Sequence, residues 1–141
     1  MVQLIVGKKG KGKTKHLLDG ANEAVTNATG NIVYLDKNSK HMYELNNKIR
    51  LIDISQFPVK GYDQLEGFIC GVISQDHDIE KIYIDSFSTL ADIKDVETDL
   101  KKALGQIEFI SSSFNVDFVV SISNDKSELD ASLQEKIITA L

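Results

Sequence analysis

The sequence predicts an α/β protein, a three-layer αβα sandwich built on a mainly parallel five-stranded sheet. Three observations lead there. Short runs rich in Val, Ile, Tyr and Phe alternate with segments of helical periodicity. The runs are nearly continuous in apolar character, as strands covered on both faces must be. A chain of 141 residues with 42% hydrophobic content is enough for one core and too short for a second folded unit. Residues 1–141 therefore read as a single domain.

The first strand is Val2 to Val6, ended by Gly7. Leu17, Leu18, Ala21 and Val25 then recur at helical spacing. The second strand runs from Asn31 to Leu35, preceded by Gly30 and ended by Asp36. A short helix around Met42 to Leu45 leads to the third strand, Ile49 to Ile54, and Pro58 marks the turn that follows. Tyr62, Leu65, Phe68, Ile69, Val72 and Ile73 form the broad apolar face of a helix. The fourth strand is Lys81 to Ile84. A helix carrying Val96, Leu100, Ala103, Leu104, Ile107 and Ile110 follows, then the fifth strand, Asp117 to Ile122. Leu129, Leu133, Ile137 and Leu141 repeat every four residues after a capping-type Ser127…Asp130 start, so a C-terminal helix is expected. Parallel sheets of this kind bind ligands beyond the carboxyl ends of their strands. Functional residues are expected just after Val6, Leu35, Ile54, Ile84 and Ile122. Uncovered sheet edges make a homodimer an expected arrangement.

Composition narrows the function. The formal net charge is -5 and the pI about 5.1, which argues against a nucleic-acid module held by a basic face. The single cysteine, Cys70, lies in an apolar helical stretch and reads as a core thiol. His16, His41 and His77 lack metal-ligand spacing. The apolar run at Val2 to Val6 is too short for a signal peptide, and no stretch approaches the ~18 apolar residues of a membrane span. A cytoplasmic location without membrane contact is expected.

The chemistry is carried by Gly7-Lys8-Lys9-Gly10-Lys11-Gly12-Lys13-Thr14, which satisfies G-x-x-x-x-G-K-[ST] between an apolar strand and an amphipathic helix. Glycines at these places let the backbone turn tightly and aim successive N–H groups at phosphate oxygens, and the helix N-terminus adds partial positive charge. Lys13 is placed to reach the β- and γ-phosphates and the Thr14 hydroxyl to ligate Mg²⁺. Lys8, Lys9, Lys11 and Lys15 add positive charge around the cradle. Ile82-Tyr83-Ile84-Asp85 is a strand ending in an acid, the expected second holder of Mg²⁺. The chain thus reads as a P-loop nucleotide-binding domain with a nucleoside triphosphate and Mg²⁺ as its expected ligands; no adenine-reading motif selects the base.

On these residues the chain resembles a stripped RecA-like core from Met1 to about Asn124. The resemblance implies that strand 117–122 lies between the P-loop strand and the Asp85 strand. It implies a water-orienting acid near the end of the second strand, where this chain reads Tyr34-Leu35-Asp36-Lys37-Asn38. Asn38 stands nearest the family's glutamate and Asp36 is the nearest carboxylate. An Asn can position water without accepting its proton, so weak or partner-activated hydrolysis is expected. Asn124, after the fifth strand, falls where the family senses the γ-phosphate. The chain is also similar in length and loop to small bacterial ATP-binding proteins labelled as twitching-motility ATPases, though the extra domain and motifs of a pilus-retraction motor do not fit into this length.

Other P-loop classes fit less well. Asn124-Asp125-Lys126-Ser127 and Asp85-Ser86-Phe87-Ser88 do not match a GTPase's guanine-reading and switch motifs. Arg50 is the only arginine, so a kinase-type lid or a self-contained arginine finger is disfavoured. A non-hydrolysing nucleotide-responsive module and, less well supported, a small-molecule phosphotransferase are the alternatives.

Overall fold

A computed structural model describes residues 1–141. The strands are β1 (Val2–Val6), β2 (Asn31–Asp36), β3 (Arg50–Asp53), β4 (Ile79–Ile84), β5 (Asp117–Ile122) and β6 (Ile137–Ala140). The helices are α1 (Lys13–Asn27), α2 (Gly61–Ser74), α3 (Phe87–Leu90), α4 (Lys101–Phe114) and α5 (Ala131–Gln134). A π-helical turn over Val96–Leu100 runs directly into α4. The sheet order is β3-β2-β4-β5-β1-β6 and every pairing is parallel. β5 lies between β1 and β4, where the sequence reading put it.

Side chains alternate across each strand, so residues two apart share a face. Leu4, Val33, Leu35, Ile82, Phe118 and Val120 belong to the larger core of 26 buried residues, with α2 and α4. Ile5, Ile32, Tyr34, Tyr83 and Val119 face the other way onto Leu17, Leu18 and Ala21 of α1, in a core of 10. Two long helices cover one face and one covers the other. The same alternation carries Asp36, Asp85 and Ser121, two residues beyond Tyr34, Tyr83 and Val119, to the α1 face.

The C-terminal helix expected from Leu129 to Leu141 is not formed, and the sheet has six strands rather than five. Asp125 and Glu128 close a capping box on a short 3₁₀ turn, Asp130 caps α5, and α5 stops at Gln134. Leu129 and Leu133 do reach the larger core. Ile137–Ala140 instead pairs with β1: the Leu4 N–H donates to the Lys136 carbonyl (2.8 Å) and the Leu141 N–H to that of Val6 (2.9 Å). The outer edge of β1 offers unpaired N–H and C=O groups, and the β-branched Ile137-Ile138-Thr139 suits a strand better than a helix. Met42–Glu44 forms only a 3₁₀ turn. No helix is long and apolar enough to cross a membrane.

Gly30 shows how tightly β2 is seated at its start. A Cβ there would lie 2.3 Å from the Asp78 carbonyl oxygen, which accepts the Asn31 N–H at 2.7 Å. Backbone would have to move. Gly30→Ala is expected to destabilise the protein by about 2–3 kcal/mol, read as a lower urea midpoint with unchanged denaturant dependence.

Candidate functional site: a glycine-rich turn facing a buried aspartate

The segment after β1 turns through Gly10 and Gly12, whose φ angles are +85° and +90°. Gly12 directly precedes α1 in the left-handed region, which side chains other than glycine strain to adopt. No side chain caps α1 and no acid occupies its first turn. The leading N–H groups of the helix are therefore left for an external anion. The Lys13 ammonium folds back onto its own loop, donating to the carbonyls of Gly7 (2.7 Å) and Lys8 (3.1 Å). Burial pushes its pKa down, and the Asp85 carboxylate partly opposes that shift.

Asp85, 3% exposed, sits just past the end of β4. Pairing of Ile84 with Val120 and with Leu35 brings it beside Ser121 of β5 and Asp36 of β2. Both carboxylate oxygens are held. The Tyr34 hydroxyl donates to Oδ2 at 3.1 Å and the Ser121 hydroxyl to Oδ1 at 3.2 Å. Ser121 Oγ in turn accepts the Ser86 N–H at 2.9 Å. Ser86 has φ +58°, a left-handed turn that swings the chain away from the strand immediately after the acid. Burial foremost, then Asp85 and Asp36, drive the Tyr34 phenol far above its ordinary value, so it stays a donor.

Asp36 is 2% exposed. Its Oδ1 accepts the Lys37 N–H at 2.7 Å, while Oδ2 is buried without any hydrogen-bond partner. Burial, followed by the charge of Asp85, raises its pKa.

One cleft of about 230 Å³ lies between the cradle and Asp85. The cradle contributes Lys9, Gly10, Gly12, Lys13 and Thr14; the facing wall contributes Lys37, Asp85, Ser86 and Thr89, with Ser121 and Ser123 from β5 and its exit. Thus Lys9, Gly10, Gly12, Lys13, Thr14 and Asp85, singled out from the sequence, line one space. Gly7, Lys8, Lys11, Lys15, Asp36, Asn38 and Asn124 do not line it. Lys8 approaches Glu128 at 4.0 Å, Lys15 pairs with Asp19 at 3.2 Å, and Lys11 is exposed. Asn38 accepts the Lys40 N–H in a local turn (3.0 Å), and the Asn124 amide donates to Glu128 (3.3 Å). Neither lines the cleft.

Tyr34, Lys37 and Ser121 were not picked out from sequence. A signal existed for two of them: Tyr34 and Ser121 are hydroxyl-bearing residues inside otherwise apolar strand runs, two positions before the end or one position from it. A buried hydroxyl must find a partner. Tyr34→Phe is expected to leave Asp85 Oδ2 without its donor and to cost about 1–3 kcal/mol of stability, measurable by urea denaturation.

The parallel sheet order, with β5 between β1 and β4, and the glycine-rich turn between β1 and α1 are those of a RecA-like α/β fold. Among solved structures, a KaiC-like protein from the hyperthermophilic archaeon Pyrococcus horikoshii OT3 matches over 95% of this chain with a TM-score of 0.63 and 16% sequence identity. This chain spans 66% of the length of that one. The likeness is one of fold. No protein-family model and no curated protein matches the sequence.

Proposed function

We propose that the chain is a Mg²⁺-dependent ATP-binding protein with slow or partner-activated hydrolysis. The observation that carries this reading is the cradle of Gly7 to Thr14 facing a buried, doubly hydrogen-bonded Asp85 across one cleft. Loop amides and Lys13 would take the phosphates, Lys13 exchanging its two loop carbonyls for phosphate oxygens.

Thr14 and Asp85 fit a hard, oxygen-seeking cation. The two hydroxyls orient the carboxylate, and an ionised carboxylate keeps lone pairs for a metal's water shell beyond those two bonds. Mg²⁺ there would neutralise phosphate charge. Asp36, next to Asp85 in the sheet but not lining the cleft, keeps an unpartnered carboxylate oxygen that would be the acceptor for a proton from attacking water.

A nucleotide-responsive module without turnover is favoured by one further observation: both candidate polar sensors, Asn38 and Asn124, are engaged in bonds of their own. Thermal shift against a nucleotide panel with and without Mg²⁺, followed by phosphate release on every hit, separates the readings. Binding with release above background supports the enzyme. Binding without release, alone and with captured partners, supports the module, and no nucleotide response at all eliminates both.

A further inference from the structure

We propose that Lys37 is the residue that distinguishes a bound nucleoside triphosphate from a diphosphate, by placing its ammonium on the outermost phosphate. The inference rests on the nucleotide-binding reading of the same cleft. Lys37 follows Asp36 at the carboxyl end of β2, yet it lines the cleft together with Lys9 and Lys13. β2 and β1 are separated in the sheet by β4 and β5. Three inter-strand spacings of roughly 4.8 Å put the backbones about 14 Å apart. The phosphate held deepest by the cradle amides is thus on one side of the cleft, and Lys37 reaches in from the other. A phosphate chain bound at the cradle meets Lys37 only at its far end.

Charge and partners point the same way. The ion pairs of the molecule engage Lys8, Lys15, Arg50, Lys94, Lys101 and Lys136 together with the N-terminus and His41, and none involves Lys37. Lys9, Lys13 and Lys37 set three ammonium groups against the one carboxylate that lines the cleft, Asp85. The only arginine is committed elsewhere. Arg50 opens β3 and pairs with Asp76 at 3.0 Å, and Asp76 also accepts the amide of Asn31, at the opposite end of the sheet from the cradle. Lys37 is the one cationic side chain of this cleft outside the loop. Its charge also bears on the neighbouring Asp36 carboxylate, so the test must separate phosphate contact from support of Asp36.

Dissociation constants for Mg-ADP and for a magnesium-bound non-hydrolysable ATP analogue would be measured on the full chain by calorimetry. Wild type, Lys37→Ala, Lys37→Arg and, as reference, Lys13→Ala are compared. Lys37 is exposed, so its variants should unfold at the wild-type temperature. The expected result is a loss of about tenfold or more in triphosphate affinity for Lys37→Ala, with diphosphate affinity within about twofold and most of the loss restored by Arg. Equal losses for both nucleotides, or no loss for either, overturn the assignment while leaving nucleotide binding intact. Support of Asp36 alone would lower hydrolysis without this affinity split, which also overturns it. If wild type and Lys13→Ala alike fail to bind either nucleotide, the nucleotide reading itself falls, and the assignment with it.

Discussion

Lys13→Ala is expected to remove the thermal stabilisation that Mg-nucleotide would confer on the wild-type protein under the proposed function. At a ligand concentration of 100 times Kd, that stabilisation is about 2.7 kcal/mol. In a domain of this size it raises Tm by roughly 5–10 °C. The Lys13 ammonium lies within the cleft and already bonds two loop carbonyls, so it is positioned to make charge-assisted bonds to phosphate. Each such bond contributes about 1.5–3 kcal/mol, and losing two lowers affinity by a factor on the order of 10² or more. Without ligand, the variant should lose no more than about 1 kcal/mol, because the Lys13–Lys8 bond is exposed and that to Gly7 only partly buried. Differential scanning fluorimetry with a nucleotide titration reads both quantities. A Lys13→Ala protein that keeps the full ligand-induced shift would show that nucleotide is not held by this cradle.

Asp36→Asn is expected to move activity and stability in opposite directions. In the proposed reaction Asp36 would accept the proton of attacking water, a role worth roughly 10²–10⁴-fold, so phosphate release by the variant should fall by that order. Stability should rise at neutral pH. Burial and the neighbouring Asp85 hold the folded-state pKa of Asp36 above its ordinary value of 3.8. The folded state then binds the proton more tightly than the unfolded state does. Stability is lost as pH rises from about 3.8 through the raised value, and the penalty persists above it. Asn carries no charge and keeps an oxygen for the Lys37 N–H. The gain over wild type should be clear at pH 7 and vanish toward pH 4. Urea midpoints at the two pH values test the sign. A variant less stable than wild type at pH 7 would mean that the buried charge is compensated, and undiminished phosphate release would remove Asp36 from the reaction.

Much of this was legible from local pattern. The cradle is contiguous, so its glycines and lysine could be read in order, and the conformations at Gly10 and Gly12 follow from the absence of a side chain. The strand ending in Asp85 announced itself by an apolar run that stops at a charge. Asn38 and Asn124 show the limit. Both are the right residue type near the right strand end, but a carboxamide two residues from a free N–H, or four from a glutamate, finds a nearer partner.

The terminal segment shows another limit. Its four-residue repeat is real, and Leu129 and Leu133 use it to reach the core. Ile137 onward obeys a partner more than 130 residues away in sequence, because the outer edge of β1 has backbone groups to satisfy. Periodicity cannot report that competition.

The sequence alone was sufficient for the α/β class, the glycine-rich turn that leads into α1 with Lys13 and Thr14, and the acid that closes the fourth strand. These are written in short contiguous runs whose physics is local. Only the tertiary structure decided that a sixth strand guards β1, that Tyr34 and Ser121 grip Asp85, that Asp36 keeps one buried oxygen unpartnered, and that Lys37 reaches the cradle's cleft. Each of these depends on register between strands distant in the chain, and register is settled by packing of the whole sheet rather than by any single segment.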